Sequence, residues 1–225
     1  AGCTVNDLWD RDLDRRVART ATRPIASGAV TPRRALVFLA VQMAIGLVIL
    51  LQLNRFSWAL GVAVLLLVFT YPLAKRVTDW PQAVLGLTFN WGALLGYAAV
   101  TGALAAPAVV AYVAGFFWTL GYDTVYAHQD KEDDAIVGVR SSALALGERT
   151  RPALIGFYAL TVALLGSSAW LAGLGPWTYA GLAALALHFA WQVRTVDIDD
   201  PKGCLAIFKA NRDAGLIAAV AFLVG

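Results

Sequence analysis

Residues 82–122, QAVLGLTFNWGALLGYAAVTGALAAPAVVAYVAGFFWTLGY, contain no Asp, Glu, Lys or Arg, and neither do residues 152–193. A helix needs about 20 apolar residues to cross the hydrocarbon core of a bilayer, so each run has room for two spans. Charged residues make up 15% of the chain, against roughly 25% in soluble domains. The runs are rich in Leu, Ala and Val, and spanning backbone must satisfy its own hydrogen bonds. We therefore predict an all-α, multi-span transmembrane helical bundle.

The distribution of charge predicts the topology of this bundle. About seven spans are expected, with alternate loops on opposite sides: 35–53, 56–74, 82–101, 107–122, 153–172, 177–193 and a partial span from 214. Of the 18 Lys and Arg residues only Arg55 falls on the second side, and all 15 Asp and Glu residues fall on the first. Because Lys and Arg concentrate in cytoplasmic loops, the first side is predicted to face the cytoplasm or the equivalent organelle compartment.

The first acidic segment, residues 6–14, places Asn6, Asp10 and Asp14 four residues apart. On a helix this spacing puts all three side chains on one face. Oxygen donors without His or Cys suit Mg²⁺, which takes one or two carboxylates and completes its shell with water and substrate phosphate. A solvated, salt-bridged helix end remains the alternative for this segment alone, because arginines are interleaved with its carboxylates.

The second acidic segment follows a membrane span on the same predicted side. Asp123, Tyr126, Asp130 and Asp134 recur at steps of three and four residues, as on the inner face of a helix that emerges from the membrane. Asp123 lies near the hydrocarbon, where a carboxylate is costly and usually functional. Two such stripes on one side favour cation sites that bind a diphosphate.

Basic side chains follow both the first acidic segment and a membrane span. Arg19 and Arg23 are four residues apart, and Tyr71 lies one turn before Lys75 and Arg76. The topology alone would place cations here. The functional alternative is that they bind phosphate oxygens that a metal leaves uncovered. For two other polar residues a structural interpretation is favoured over a functional one: we expect a solvated loop position for His128 rather than a base, and an interhelical hydrogen bond for Asn90 rather than cavity lining.

Several blocks of the chain resemble signatures of the UbiA superfamily of membrane prenyltransferases, and in detail those of its 4-hydroxybenzoate polyprenyltransferases. The likeness runs along nearly the whole chain. The blocks are Asn6-Asp7-x-x-Asp10-x-x-x-Asp14, Arg19-Thr20-x-x-Arg23-Pro24-x-x-Ser27-Gly28, Tyr71-Pro72-x-x-Lys75-Arg76, Tyr122-Asp123-Thr124-x-Tyr126-Ala127-x-x-Asp130-x-x-Asp133-Asp134 and Ile136-Val137-Gly138-Val139-Arg140-Ser141-Ser142.

The resemblance implies a nine-helix protein of which residues 1–225 form a single domain truncated at both ends. The chain would begin at the end of the second helix and stop within the ninth. The absent first helix would then carry part of the aromatic-substrate site. Arg140 stands where the family often has Lys.

The resemblance also implies the chemistry: a polyprenyl group moves from its diphosphate to the ring of 4-hydroxybenzoate, ortho to the hydroxyl, in ubiquinone biosynthesis. Two Mg²⁺ ions would bridge the diphosphate, held by Asn6, Asp10 and Asp14 on one side and by Asp130 and Asp134 on the other. The phosphate oxygens would be bound by Arg19, Arg23, Tyr71, Lys75 and Arg76. Asp123 is a candidate acceptor of the ring proton.

Two alternatives stay open. Another family member would use homogentisate, dihydroxynaphthoate or haem as acceptor with the same diphosphate motifs. A cation-coupled transporter should carry acidic groups mid-span, whereas these lie at one surface. We expect the lipid bilayer as a partner, no nucleic acid, and a place in the bacterial inner membrane or the mitochondrial inner membrane. The isoprenoid length and the oligomeric state do not follow from the sequence.

Overall fold

The computed structural model describes residues 2–17 and 20–225, with only the backbone of Lys75 and Val137. This part of the chain is helical and contains no strand. Its helices are α1 (Gly2–Asp14), α2 (Pro32–Leu51), α3 (Arg55–Val77), α4 (Pro81–Phe89), α5 (Trp91–Thr101), α6 (Ala106–Ala127), α7 (Lys131–Val137), α8 (Ser142–Leu146), α9 (Thr150–Leu171), α10 (Pro176–Thr195) and α11 (Pro201–Leu223), with a short 3₁₀ turn at Gly147–Arg149.

Helix starts follow local chemistry at the polar breaks between apolar runs. The side chain of Asn54 accepts a hydrogen bond of 2.9 Å from the backbone N–H of Ser57, and the carboxylate of Asp200 accepts one of 3.0 Å from Lys202. Prolines occupy the first turns of α2, α4, α6, α10 and α11, where their missing N–H costs no helical hydrogen bond. The breaks that the sequence marks with turn residues therefore separate the long helices.

Within the part of the chain that the structure describes, five segments are long and apolar enough to cross a membrane: Pro32–Leu51, Arg55–Ala74, Pro81–Thr101, Ala106–Ala127 and Ser142–Leu171. They match five of the expected spans. Helices α10 and α11 have 20 and 23 residues, and α11 begins at Pro201 rather than near 214 because its polar first turns are also helical. The count of seven spans and the side of each loop stay predictions.

Helix α6 is the centre of the bundle. It packs against α4, α5, α9 and α11, and 39% of its apolar segment is buried, against 6% for α2. The core lies between α6, α9, α10 and α11, where Val125, Leu154, Leu185 and Phe189 are almost fully buried. Large apolar side chains of α2 and α3 remain exposed, as expected of a surface that faces lipid. The helix that carries Asp123 is thus held in place by several neighbouring helices.

The predicted span 82–101 is interrupted at Asn90, between α4 and α5. The Asn90 Nδ2 group donates to the carbonyl of Gly86 and to Oγ1 of Thr119 on α6, both at 2.8 Å. Gly115 makes this approach possible, because a Cβ there would lie 2.3 Å from Asn90 Oδ1. The expected interhelical hydrogen bond is confirmed, and it satisfies backbone polarity at the break.

The second acidic segment is not one continuous helix, as its spacing had suggested. Helix α6 ends at Ala127, and a turn over residues 128–130 leads into α7. Asp130 immediately precedes α7, and its carbonyl accepts a hydrogen bond of 2.8 Å from the backbone N–H of Asp134. The turn separates the two helices, and this hydrogen bond still joins Asp130 and Asp134 in one local structure.

The contact between α10 and α11 depends on a small residue. A Cβ added at Gly181 would lie 2.4 Å from Cβ and 3.0 Å from Cα of the buried Ala221. We predict that Gly181→Ala destabilises the protein by about 1–3 kcal/mol, because backbone must move to relieve the overlap. Thermal unfolding in detergent measures the effect. The control is Gly166→Ala in α9, whose nearest new contact is at 4.0 Å. Equal stability of the two variants would contradict this packing.

Candidate active site

A polar cavity of about 170 Å³ lies where α1, α3, α4, α6 and α7 meet. Four carboxylates and two guanidinium groups are among its described lining residues, together with amide, hydroxyl and apolar groups. The lining consists of Asn6, Leu13, Asp14, Val17, Thr20, Arg23, Tyr71, Pro72, Pro81, Gln82, Asp123, Tyr126, Ala127, Asp130, Asp134, Val139, Arg140 and Ser141. Residues 6–14 and 123–134 therefore face the same space, as the sequence predicted.

The first wall is formed by α1 and the segment after it. Asn6 and Asp14 lie on the wall, and Asp14 is 4% exposed. Arg23 reaches back along the helix, with Nη1 at 3.0 Å from Asp14 Oδ2 and 3.1 Å from Asp7 Oδ1. The Thr20 hydroxyl donates to the Asp14 carbonyl at 3.0 Å. Opposite charge thus compensates the burial of Asp14.

Asp10 is fully buried, yet it is not among the cavity-lining residues. Its Oδ1 atom lies 3.5 Å from Nη2 of Arg76, which also donates to the Trp9 carbonyl at 3.2 Å. Arg76 is likewise outside the described lining. The predicted metal role of Asp10 and the phosphate role of Arg76 stay predictions, with this ion pair joining α1 to α3.

The second wall is formed by the end of α6, the turn after it, and α7. Asp123 and Tyr126 come from α6, and Asp130 and Asp134 from the turn and α7. Gly138 ends α7 with φ +77°, a left-handed conformation that glycine adopts without steric cost. The Val139 N–H then donates to the Asp134 carbonyl at 2.9 Å. This helix end directs the following residues back toward the cavity.

Arg140 and Gln82 complete the cavity and were not predicted as site residues. Nη1 of Arg140 donates to the Val77 carbonyl at 3.3 Å, and its Nε lies 3.8 Å from Asp79 Oδ1. The Gln82 Oε1 atom accepts a hydrogen bond of 3.1 Å from the backbone N–H of Ser142. Arg140 belongs to a signature block of the resemblance, which could have marked it as a site residue. Gln82 carried no such signal, because a polar residue near a span end is common.

The structure describes the side chains of only some of the other predicted phosphate ligands. Tyr71 lies on the cavity wall. Arg19 lies outside the described residues, and of Lys75 only the backbone is described. The roles of both therefore stay predictions.

His128 lies in the turn before Asp130 and is buried, so the expected solvated position was wrong. Its Nε2 atom is 2.9 Å from Oγ1 of Thr150, the first residue of α9. Burial, assisted by the charge of Lys131, lowers the pKa of His128 to about 4. The imidazole is therefore neutral at physiological pH and ties the turn to α9.

The donor chemistry fits Mg²⁺ better than a softer metal. Carboxylate, amide and hydroxyl oxygens line the cavity, and neither His nor Cys is among the lining residues that the structure describes. Within 2–17 and 20–225 no three His, Cys, Asp or Glu residues are gathered into a complete metal cluster. A cation here would depend on one or two carboxylates, with water and a ligand's oxygens filling its shell, which is the usual mode of Mg²⁺.

The fold and the cavity define an integral membrane protein with a carboxylate-rich site at one end of a helical bundle. The chain belongs to the UbiA prenyltransferase family, whose pattern matches residues 1–218.

Individual proteins that are similar to the chain support its assignment to this family. The chain is 51% identical to the mitochondrial 4-hydroxybenzoate polyprenyltransferases of Arabidopsis thaliana and Bos taurus. All of the chain is covered, but it spans 56% and 61% of those relatives.

Two solved structures show the same fold. An apo UbiA homologue from Aeropyrum pernix K1 matches with TM-score 0.85 and 27% identity, covering 99% of this chain and 83% of that one. A UbiA homologue from Archaeoglobus fulgidus bound to DMAPP and Mg²⁺ matches with TM-score 0.67 and 19% identity, covering 99% and 82%.

The contact between Arg23 and Asp14 should contribute to folding. We predict that Arg23→Met lowers the free energy of unfolding by about 1–2 kcal/mol, because it removes a cation that two carboxylates share. Chemical denaturation in detergent measures this loss. The control is Arg212→Met, whose pair with Asp213 is exposed and should contribute less than about 0.5 kcal/mol. Equal effects of the two substitutions would show that the Arg23 contacts do not stabilise the site.

Proposed function

We propose that this chain is the catalytic part of an enzyme that transfers a polyprenyl group from its diphosphate to the ring of 4-hydroxybenzoate. One observation carries the proposal: the two Asp-rich segments, which are far apart in the sequence, face one polar cavity at the end of an apolar bundle. The names of the relatives support the acceptor and the reaction. The apolar surroundings suit a substrate with a long isoprenoid tail.

The residues fit a Mg²⁺-bound diphosphate. Asn6, Asp10 and Asp14 would hold metal on one wall, and Asp130 and Asp134 on the other. A Mg²⁺ ion bound there supplies positive charge that stabilises the departing diphosphate. The homologue from Archaeoglobus fulgidus is bound to DMAPP and Mg²⁺, which supports this choice of cation.

The basic residues would bind diphosphate oxygens directly. Arg23 and Arg140 already lie on the cavity wall with Tyr71. Arg19, Lys75 and Arg76 are proposed to assist them. Guanidinium groups suit this task because their planar donors match phosphate oxygens in pairs.

The proposed transfer forms one bond and breaks another. The ring carbon ortho to the hydroxyl forms a bond to the allylic carbon, while the bond from that carbon to the diphosphate oxygen breaks. The ring proton leaves to restore aromaticity, and Asp123 on the cavity wall is the proposed acceptor. Fixed charges around the leaving group contribute most when they are already in place before the reaction.

The proposed location is the bacterial inner membrane or the mitochondrial inner membrane, with the cavity open to the cytoplasm or the matrix. The mitochondrial names of the relatives support the second of these if the source is eukaryotic. The product would serve ubiquinone biosynthesis.

The carboxylate assignment predicts a large loss of turnover. In the full-length protein, Asp14→Asn, Asp130→Asn and Asp134→Asn should each lower kcat/KM for geranyl diphosphate about a hundredfold or more, because charge stabilisation of the transition state is lost. Asp10→Asn should have a similar effect if the buried carboxylate reaches the metal. The control is Asp12→Asn, which removes an exposed carboxylate paired with Arg11. Near-normal turnover of Asp14→Asn and Asp130→Asn at limiting Mg²⁺ would refute the assignment.

The acceptor can be tested separately. Membranes that contain the full-length protein should prenylate 4-hydroxybenzoate with much higher kcat/KM than homogentisate or dihydroxynaphthoate. Product analysis by mass spectrometry measures the preference. Faster reaction with another acceptor would keep the diphosphate chemistry and overturn the choice of 4-hydroxybenzoate.

A further inference from the structure

The turn in the second acidic segment contacts α9 and the loop between α10 and α11. Neither of these has a role in the proposed chemistry. Asp130 occupies the turn between α6 and α7, and Lys131 follows it as the first residue of α7. Building on the proposed function, we propose that Lys131 is a positioning residue. It holds Asp130 and Asp134 against the cavity by tying their turn to the loop between α10 and α11.

The contacts of Lys131 cross a large distance in sequence. Its Nζ atom donates to the Ile198 carbonyl at 3.0 Å and forms an ion pair with the Asp199 carboxylate. Its side chain is only 25% exposed, while Asp199 is 73% exposed. Lys131 is not among the described lining residues of the cavity, although Asp130 and Asp134 are. It therefore acts on the site through its neighbours.

The loop that receives Lys131 is itself fixed to the bundle. Nη2 of Arg151, in the first turn of α9, donates to the Val196 carbonyl at 2.9 Å. Within the loop, the Asp199 N–H donates to Asp197 Oδ1 at 3.0 Å, and the buried Cys204 thiol donates to the Asp197 carbonyl at 3.2 Å. These contacts make the loop an anchor for the turn.

A second contact fixes the same turn. His128 is buried against Thr150, and Thr150 begins α9, the helix that also carries Arg151. The turn is thus held by His128 as well as by Lys131. His128 contributes a hydrogen bond to this attachment, and Lys131 contributes an ion pair.

Replacing Lys131 is expected to act by displacing Asp130 and Asp134. The lost strength of the ion pair itself matters less. A partly exposed pair such as Lys131–Asp199 contributes only about 0–1 kcal/mol to folding. Residues that orient ligands of a metal nevertheless change affinity or activity by about 10–100-fold when removed. Lys131 should therefore affect cation use far more than stability.

The test compares variants of the full-length protein in detergent. Lys131→Met should raise the Mg²⁺ concentration for half-maximal turnover about tenfold while the unfolding temperature changes little. Lys131→Arg should recover most of the loss, because a guanidinium can also reach the Ile198 carbonyl and the Asp199 carboxylate. Asp199→Asn should have a smaller effect, since the carbonyl contact remains. The matched control is Lys202→Met, an exposed lysine in the first turn of α11.

Calorimetry with Mg²⁺ and geranyl diphosphate gives a second readout that needs no turnover. Weaker Mg²⁺-dependent binding by Lys131→Met than by Lys202→Met supports the proposal. Equal binding by the two variants overturns it, as does a loss of stability with unchanged Mg²⁺ dependence in the folded protein. If the wild type binds both ligands but transfers no prenyl group, the proposed reaction fails while the role of Lys131 is still decided by binding.

Discussion

The cost of placing charge in hydrocarbon constrains the whole molecule. Carboxylates and guanidinium groups cannot be left among lipid tails, so they collect at helix ends and in the loops between them. The long apolar helices consequently remain free of charge over residues 82–122 and 152–193. Any polar chemistry must occur where helix ends meet, and the cavity bordered by α1, α3, α6 and α7 is such a place.

Within this site, buried carboxylates are compensated by nearby positive charge. Asp10 and Asp14 are almost completely buried, and each has an arginine beside it, Arg76 and Arg23 respectively. These arginines come from different parts of the chain, so the ion pairs also join α1 to α3 and to the segment that follows α1. In the proposed function the same positive groups would bind diphosphate oxygens. The site thus folds with its own counter-charges, and in the proposed function some of them would be exchanged for substrate contacts.

The sequence predicted the class of fold and the pair of acidic walls, because both depend on local pattern. Charge-free runs define helices, and i,i+4 carboxylates define a face. Asn6, Asp14, Arg23, Tyr71, Asp123, Asp130 and Asp134 line the cavity, and their roles there stay predictions. The turn at residues 128–130 was missed, since the periodicity of Asp123, Tyr126, Asp130 and Asp134 also fits an unbroken helix. The burial of His128 was missed because it depends on Thr150, which is distant in sequence. Gln82 joins the site through tertiary packing, which spacing does not reveal, whereas Arg140 already stood in a signature block of the resemblance.

In the proposed function both acidic segments bind one diphosphate. An experimental structure of the full-length protein with DMAPP and Mg²⁺ measures this most directly. We predict Mg²⁺ at about 2.0–2.1 Å from carboxylate oxygens of both segments, with Asp14 on one side and Asp130 or Asp134 on the other, and the diphosphate between them. Metal bound by only one segment, or a diphosphate outside this cavity, would contradict the account.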